Sequence, residues 1–220
     1  GYPSQKMIVI GVTGTNGKST TVQFIGRLLE QMGQRVGWTG TESFKVADRQ
    51  WVNDQKMTML GRFQTQKLLR EMVDVGCRYA IVETSSQGVA QFRHVGINYD
   101  IGVFTNLTPE HIESHGGFEA YKAAKGTFFA SLDKGRRKQI DGHQINKTIV
   151  VNLDDPYAEY FLSFDADHLT GFSSKDCSFS QTVKRLTLAT LIAKDVQFSG
   201  VCTSFSFGDL SFHFKPVGPF

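Results

Sequence analysis

A glycine-rich loop set between an apolar run and an amphipathic one constrains this chain more than any other feature. Residues 10–21 read IGVTGTNGKSTT. Gly11, Gly14 and Gly17 leave the backbone bare, and Lys18 stands beside the hydroxyls of Ser19, Thr20 and Thr21, so the stretch cannot pack a core. Before it, MIVIGV (residues 7–12) is a continuous apolar run of the kind shown by a buried parallel strand. After it, Val22, Ile25, Leu28, Leu29 and Met32 recur at helical spacing, and Gly33 stands where a helix would close.

Strand, loop and helix in that order are what a polyphosphate grip needs. The first-turn N–H groups of the helix point outward, and the helix dipole adds partial positive charge beside them. Glycines let the main chain curl around phosphate oxygens. Gly14, Thr15, Asn16, Gly17, Lys18, Ser19 and Thr20 are therefore expected to bind ATP. Lys18 would reach the β- and γ-phosphates, and the Ser19 hydroxyl would ligate Mg²⁺. The formal pattern G-x-x-x-x-G-K-[ST] fails by one position, because Val12 stands where its first glycine belongs. The bland alternative is a glycine turn with a chance GKS, which the flanking strand and helix disfavour.

The rest of the chain repeats the alternation. RVGWTGT (residues 35–41), YAIVETS (79–85), YDIGVFTN (99–106) and TIVVNLD (148–154) read as strands. Phe63, Leu68, Leu69, Met72 and Val75 mark a helix closed by Gly76, residues 118–129 mark another, and Pro156 is placed for the first turn of a short one. This is the pattern of an α/β fold, a mainly parallel sheet with helices on both faces, like the P-loop NTPases. From about residue 173 the texture changes. FSFGDLSFHF (205–214) alternates with period two around Gly208-Asp209 and reads as a hairpin. The expected division is an ATP-binding core over residues 1–172 and a small antiparallel β-rich appendage over 173–220.

Composition narrows the choice of partners. A net charge of +3 is too slight to argue for nucleic acid, and the one basic run, KGRRK (residues 134–138), reads as a solvated loop. Cys77, Cys177 and Cys202 lack CxxC spacing, so neither a zinc site nor a disulfide framework is indicated. No apolar run has the length of a membrane span. A cytoplasmic setting is expected.

Glu83 closes an apolar strand, at the carboxyl end where open parallel sheets bind ligands. A carboxylate there can hold a cation that bridges phosphates. Here the chain also acquires a resemblance. GVTGTNGKSTT resembles the ATP-binding loop of the Mur ligases, which build the peptide stem of peptidoglycan, and of their relative folylpolyglutamate synthase. ETSSQGVAQFRHVGINYDIGVFTNLTPEHIESHGGFEAYKAAKGTFF (residues 83–129) resembles the Mur ligase core, of the type that extends UDP-N-acetylmuramoyl-dipeptide.

The resemblance implies an ATP-dependent amide ligase that forms an acyl phosphate and adds an amino acid to a muramoyl-peptide nucleotide. It implies that Lys18, Glu83, His111 and Lys125 are the catalytic set. Glu83 would hold a first Mg²⁺ with Ser19, His111 a second, and Lys125 would be carbamylated and face the metal. Asn106, in FTNL, joins the ATP-binding residues. Thr58, Ser86, Gln91 and Arg93 would contact the acceptor, the planar fork of Arg93 suiting an anionic group. Two departures, Gln87 for His and Met59 for Pro, bear on which acceptor is used. The family has an N-terminal uridine-nucleotide domain and a C-terminal domain that delivers the amino acid; both are expected to be absent here. KPVGPF (residues 215–220) resembles the start of a segment contributing to adenine binding. A folate polyglutamyl ligase and a stand-alone nucleotide-binding module without ligase activity stay open as other readings. A kinase would share the loop and nothing else.

Overall fold

The computed structural model describes residues 2–109 and 116–174 in full, and four later strands by their backbone. After a 3₁₀ turn at Pro3–Lys6 come the strand β1 (Ile8–Thr13), the loop, and helix α1 (Lys18–Gln31). β2 (Val36–Thr39) follows, then β3 (Ser43–Val46) and β4 (Arg49–Val52). Helix α2 (Arg62–Asp74) leads to β5 (Tyr79–Glu83), the short helix α3 (Ser86–Ala90) and β6 (Ile101–Phe104). Helix α4 (Phe118–Lys134), the small hairpin β7 (Lys138–Ile140) and β8 (His143–Ile145), and β9 (Thr148–Asn152) come next. Helix α5 (Ala158–Leu162), β10 (His168–Ser173) and β11 (Ala189–Ile192) complete the large sheet.

That sheet has nine strands in the order β11-β10-β9-β6-β1-β5-β2-β3-β4. All its pairings are parallel except those of β3, which runs against both β2 and β4. The expected α/β architecture is thus present. β1 lies between β5 and β6, with Val12 opposite Glu83 and Thr13 opposite Phe104. Three strands therefore end side by side, and their following loops share one rim.

Side-chain alternation along β1 explains the two covering layers. Met7 and Val9 join Phe104, Tyr121, Phe128 and Phe129 in a core on the α4 side. Ile10 and Val12 join Val22, Trp38, Ile81 and Val103 on the α1 side. Gly33 and Gly76 follow α1 and α2 in the left-handed region, at φ 76° and 77°, as their sequence positions require. Phe63, read as part of the buried face of α2, is instead 91% exposed, because α2 turns Leu68, Leu69 and Met72 inward. Pro156 lies ahead of α5 rather than in its first turn, and the helix begins at Ala158.

The run KGRRK is also not a solvated loop. Lys138 is buried, donating to Asp100 Oδ2 and to the Met7 carbonyl, and Arg137 is tied to Asp133 and Asp167. Lys147 donates to the other Asp100 oxygen at 3.0 Å, and the Val9 amide to Oδ2 at 2.8 Å. Two ammonium groups thus flank one carboxylate under the amino ends of the strands, away from the rim that carries the glycine loop.

Past β11, the strands β12 (Lys194–Ser199), β13 (Cys202–Phe207) and β14 (Leu210–Phe214) form a three-stranded antiparallel sheet. β13 and β14 pair as the hairpin foreseen over residues 205–214. The change of texture seen near residue 173 precedes β11, which pairs in parallel with β10 in the large sheet.

Candidate active site

The loop after β1 is held open by the loop after β6. Thr15 N donates to the Asn106 carbonyl at 2.8 Å, and Asn16 N donates to Asn106 Oδ1 at 2.9 Å. Asn106 Nδ2 and Thr105 Oγ1 both donate to the Asn16 carbonyl, at 3.0 and 2.7 Å. The approach is so close that a Cβ on Gly14, at φ 153°, would lie 1.9 Å from Thr105 Oγ1. Thr15 Oγ1 faces inward to Tyr121 Oη at 3.0 Å and accepts from Thr108 N at 2.9 Å. These bonds absorb the polar groups on one side of the loop. Gly17, Lys18 and Ser19 then begin α1 with outward N–H groups in the geometry that favours anions.

Two lysines meet this loop from different elements. Lys18 Nζ donates to the Thr15 carbonyl at 2.6 Å. Lys125, on α4, is only 1% exposed and donates to the Gly14 carbonyl at 2.8 Å, with the Tyr121 ring 4.5 Å from its nitrogen. Burial, reinforced by the charge of Lys18, pushes the Lys125 amine down to about 7. A large share of the amine is therefore neutral near pH 7, with a nucleophilic lone pair.

Glu83 reaches the same loop from β5. It is 1% exposed, yet among the described residues no ion pair includes it. Its partners are neutral donors: Ser19 Oγ to Oε2 at 3.0 Å, Thr41 N to Oε2 at 2.7 Å, and Thr41 Oγ1 to Oε1 at 2.9 Å. A buried carboxylate served only by neutral donors is a natural partner for a cation. The Ser19 hydroxyl and the Glu83 carboxylate are hard oxygen donors, which fit Mg²⁺ completed by phosphate oxygens and water. Among the described residues no three His, Cys, Asp or Glu side chains cluster to cage a metal by themselves.

Of the four residues expected to converge, three are gathered at the loop: Lys18 and Lys125 on its carbonyls and Glu83 on Ser19. His111 lies outside the described residues, as do residues 215–220. Of the expected acceptor residues, Thr58 lies beside the site, its Oγ1 2.9 Å from Thr41 Oγ1. Ser86 is buried on α3, and Gln91 is exposed just past that helix. Arg93 turns its guanidinium onto the Met59 carbonyl and lies 3.3 Å from Met57 Sδ. Sequence reasoning missed Thr41 and Tyr121. Thr41 had a usable signal, since it lies just beyond β2 on the carboxyl rim.

The Mur ligase middle domain family covers residues 12–220. This chain belongs to the Mur ligase family. It is 36% identical over 215 residues to a UDP-N-acetylmuramyl-tripeptide synthetase of Treponema denticola, covering 95% of this chain and 38% of that protein. A UDP-N-acetylmuramyl-tripeptide synthetase of Roseiflexus sp. is 38% identical over 164 residues, 74% of this chain and 32% of its own. Among solved structures, a UDP-N-acetylmuramoyl-L-alanyl-D-glutamate–2,6-diaminopimelate ligase superposes with a TM-score of 0.72 at 27% identity, over 96% of this chain and 39% of that one. The Mur ligase relatives are thus about three times as long as the segment they share with this chain. No helix among the described residues is long and apolar enough to cross a membrane.

Proposed function

We propose that this Mur ligase middle domain serves a cytoplasmic enzyme that uses ATP to join an amino acid to a UDP-N-acetylmuramoyl-peptide in peptidoglycan synthesis. The observation that carries the reading is the contact of Ser19, on the phosphate loop, with the buried Glu83, which has no ion-pair partner among the described residues. The tripeptide-synthetase character of the curated relatives favours a muramoyl acceptor over a folate. On this reading residues 1–172 form the nucleotide-binding core, and 173–220 carry the β-rich part.

The chemistry follows from what each group can do. An acceptor carboxylate oxygen attacks the γ-phosphorus of ATP, the bond to the β,γ-bridging oxygen breaks, and ADP leaves. The amine then attacks the acyl carbon, the amide C–N bond forms, the C–O bond to the phosphate breaks, and inorganic phosphate leaves as the nitrogen gives one proton to solvent. Loop N–H groups and Lys18 offset the charge that spreads over the γ-phosphoryl oxygens. Ser19 and Glu83 would hold Mg²⁺, which supplies Lewis acidity at the phosphates when bound. Asn106 keeps the loop in its receiving shape. Ser86, Gln91, Arg93 and Thr58 would contact the acceptor, and His111 would serve a second cation.

Lys125 fits a modification. Its neutral amine can attack the carbon of CO₂, forming an N–C bond and losing one proton to solvent. The resulting carbamate puts a negative charge where an ammonium would repel a cation.

The test is phosphate release by the full-length protein, given ATP, Mg²⁺, muramoyl-dipeptide nucleotide and candidate amino acids in turn. Amide formation dependent on all four components is expected. Robust turnover of folate and glutamate, or ATP hydrolysis indifferent to any muramoyl nucleotide, would overturn the assignment. Residues 1–220 alone are expected to bind nucleotide weakly by calorimetry and to form no amide.

A further inference from the structure

Thr41 touches the buried acid of this site and has no assigned task. It addresses Glu83 twice, through its main-chain N–H to Oε2 and through its hydroxyl to Oε1, at 2.7 and 2.9 Å. Two donors from one residue, one of them fixed in the backbone, determine how the carboxylate is rotated. The neighbour Gly40 makes this approach possible, because a Cβ there would lie 2.7 Å from Glu83 Oε2. Ser19 then shares Oε2 from the opposite element.

The same turn is fastened to the segment that contains Thr58. Asn53, buried, donates from Nδ2 to the Gly40 carbonyl and to the Met57 carbonyl, each at 2.8 Å. One residue further along both segments, the hydroxyls of Thr41 and Thr58 meet at 2.9 Å. Thr41 has a single hydroxyl proton, and the carboxylate is the stronger acceptor for it. The Thr41 hydroxyl is directed at both Glu83 Oε1 and Thr58 Oγ1, so its one proton is shared between the carboxylate, which holds it more strongly, and Thr58.

Resting on the ligase reading above, we propose that Thr41 is a positioning residue that holds the Glu83 carboxylate in the orientation a divalent cation requires and couples it to Thr58. Such support is what a metal-binding carboxylate needs from its hydrogen-bond partners. Thr58 acts through Thr41, so its own hydroxyl contributes less to the cation than that of Thr41.

The experiment titrates Mn²⁺ into full-length protein with ADP, following free Mn²⁺ by electron paramagnetic resonance. Thr41→Val, which keeps the N–H and loses the hydroxyl, should weaken Mn²⁺ binding roughly tenfold, the scale of losing a supporting partner. Thr41→Ser should restore it, and Thr58→Val should lie between wild type and Thr41→Val. In turnover assays, excess Mg²⁺ should recover most of the kcat lost in Thr41→Val while KM for ATP changes little. Wild-type Mn²⁺ affinity in Thr41→Val, or no rescue by Thr41→Ser, would overturn the role of Thr41 while leaving the ligase reading intact. A wild-type protein that shows no ADP-dependent Mn²⁺ binding would sink both.

Discussion

Ser19 and Glu83 stand 64 residues apart in the chain and 3.0 Å apart in space. One begins α1 on the phosphate loop and the other ends β5, and the parallel pairing of β1 with β5 is what brings them together. The hydroxyl and the carboxylate address a single point, so their contributions should not add. Glu83→Gln and Ser19→Ala should each lower kcat of the full-length ligase by about 10²-fold, in the range of removing one preorganised electrostatic contact. The double variant should be little worse than Glu83→Gln alone. Independent, multiplying losses in a double-mutant cycle would show that the two side chains serve different ligands.

Asn106 supports the loop through both ends of its amide, donating to the Asn16 carbonyl and accepting from the Asn16 N–H. Asn106→Ala should therefore weaken ATP binding by about tenfold, the sum of two modest hydrogen bonds. Calorimetry with ATP in the presence of Mg²⁺ checks this. Unchanged affinity would mean that the backbone bond between Thr15 and residue 106 is sufficient to shape the loop.

Far from the site, Asp100 stands between two buried lysines. Asp100→Asn keeps the shape and removes the carboxylate that both ammonium groups share, leaving Lys138 and Lys147 buried with amide and backbone carbonyl partners. A loss of about 3–5 kcal/mol is expected, as for breaking a buried pair by removing one partner. Urea unfolding at pH 7 measures it, and a loss below about 1 kcal/mol would mean that water reaches the lysines.

These residues also show where sequence reading succeeds. The glycine loop, the apolar strands and the helix periodicity are local patterns, and the fold they imply is the one observed. The β3–β4 hairpin escaped because it lies at the sheet edge, where SFKVADRQWV mixes exposed and buried residues without a clean period. Lys138 was read as solvated because lysine is almost never buried unless paired, and its partner Asp100 lies 38 residues away. Within the site, Lys18, Ser19 and Glu83 were visible from residue type and strand position. Thr41 had only its place just beyond β2 to mark it, and a lone threonine acquires its full meaning from what faces it.

The state of Lys125 gives a prediction whose sign can be worked out. Burial and Lys18 lower its folded pKa to about 7 from the ordinary lysine value of 10.5. Between those two values the unfolded chain binds a proton that the folded chain does not, so this group makes stability rise with pH across that window. Its full destabilising effect is present below pH 7, where both states are protonated. The slope from one such group is at most about 1.4 kcal/mol per pH unit. In CO₂-free buffer, Lys125→Met should remove that rise, so the stability difference between variant and wild type should shrink steadily from pH 7 to pH 10. The same neutral amine should take up ¹³CO₂ at pH 8 and give a carbamate carbon signal in the wild type that is missing in Lys125→Met. Lys125→Ala in the full-length protein should abolish most ligation. Normal ATP-dependent ligation in that variant, or a pH profile parallel to wild type in Lys125→Met, would leave Lys125 as a structural lysine that happens to sit beneath the loop.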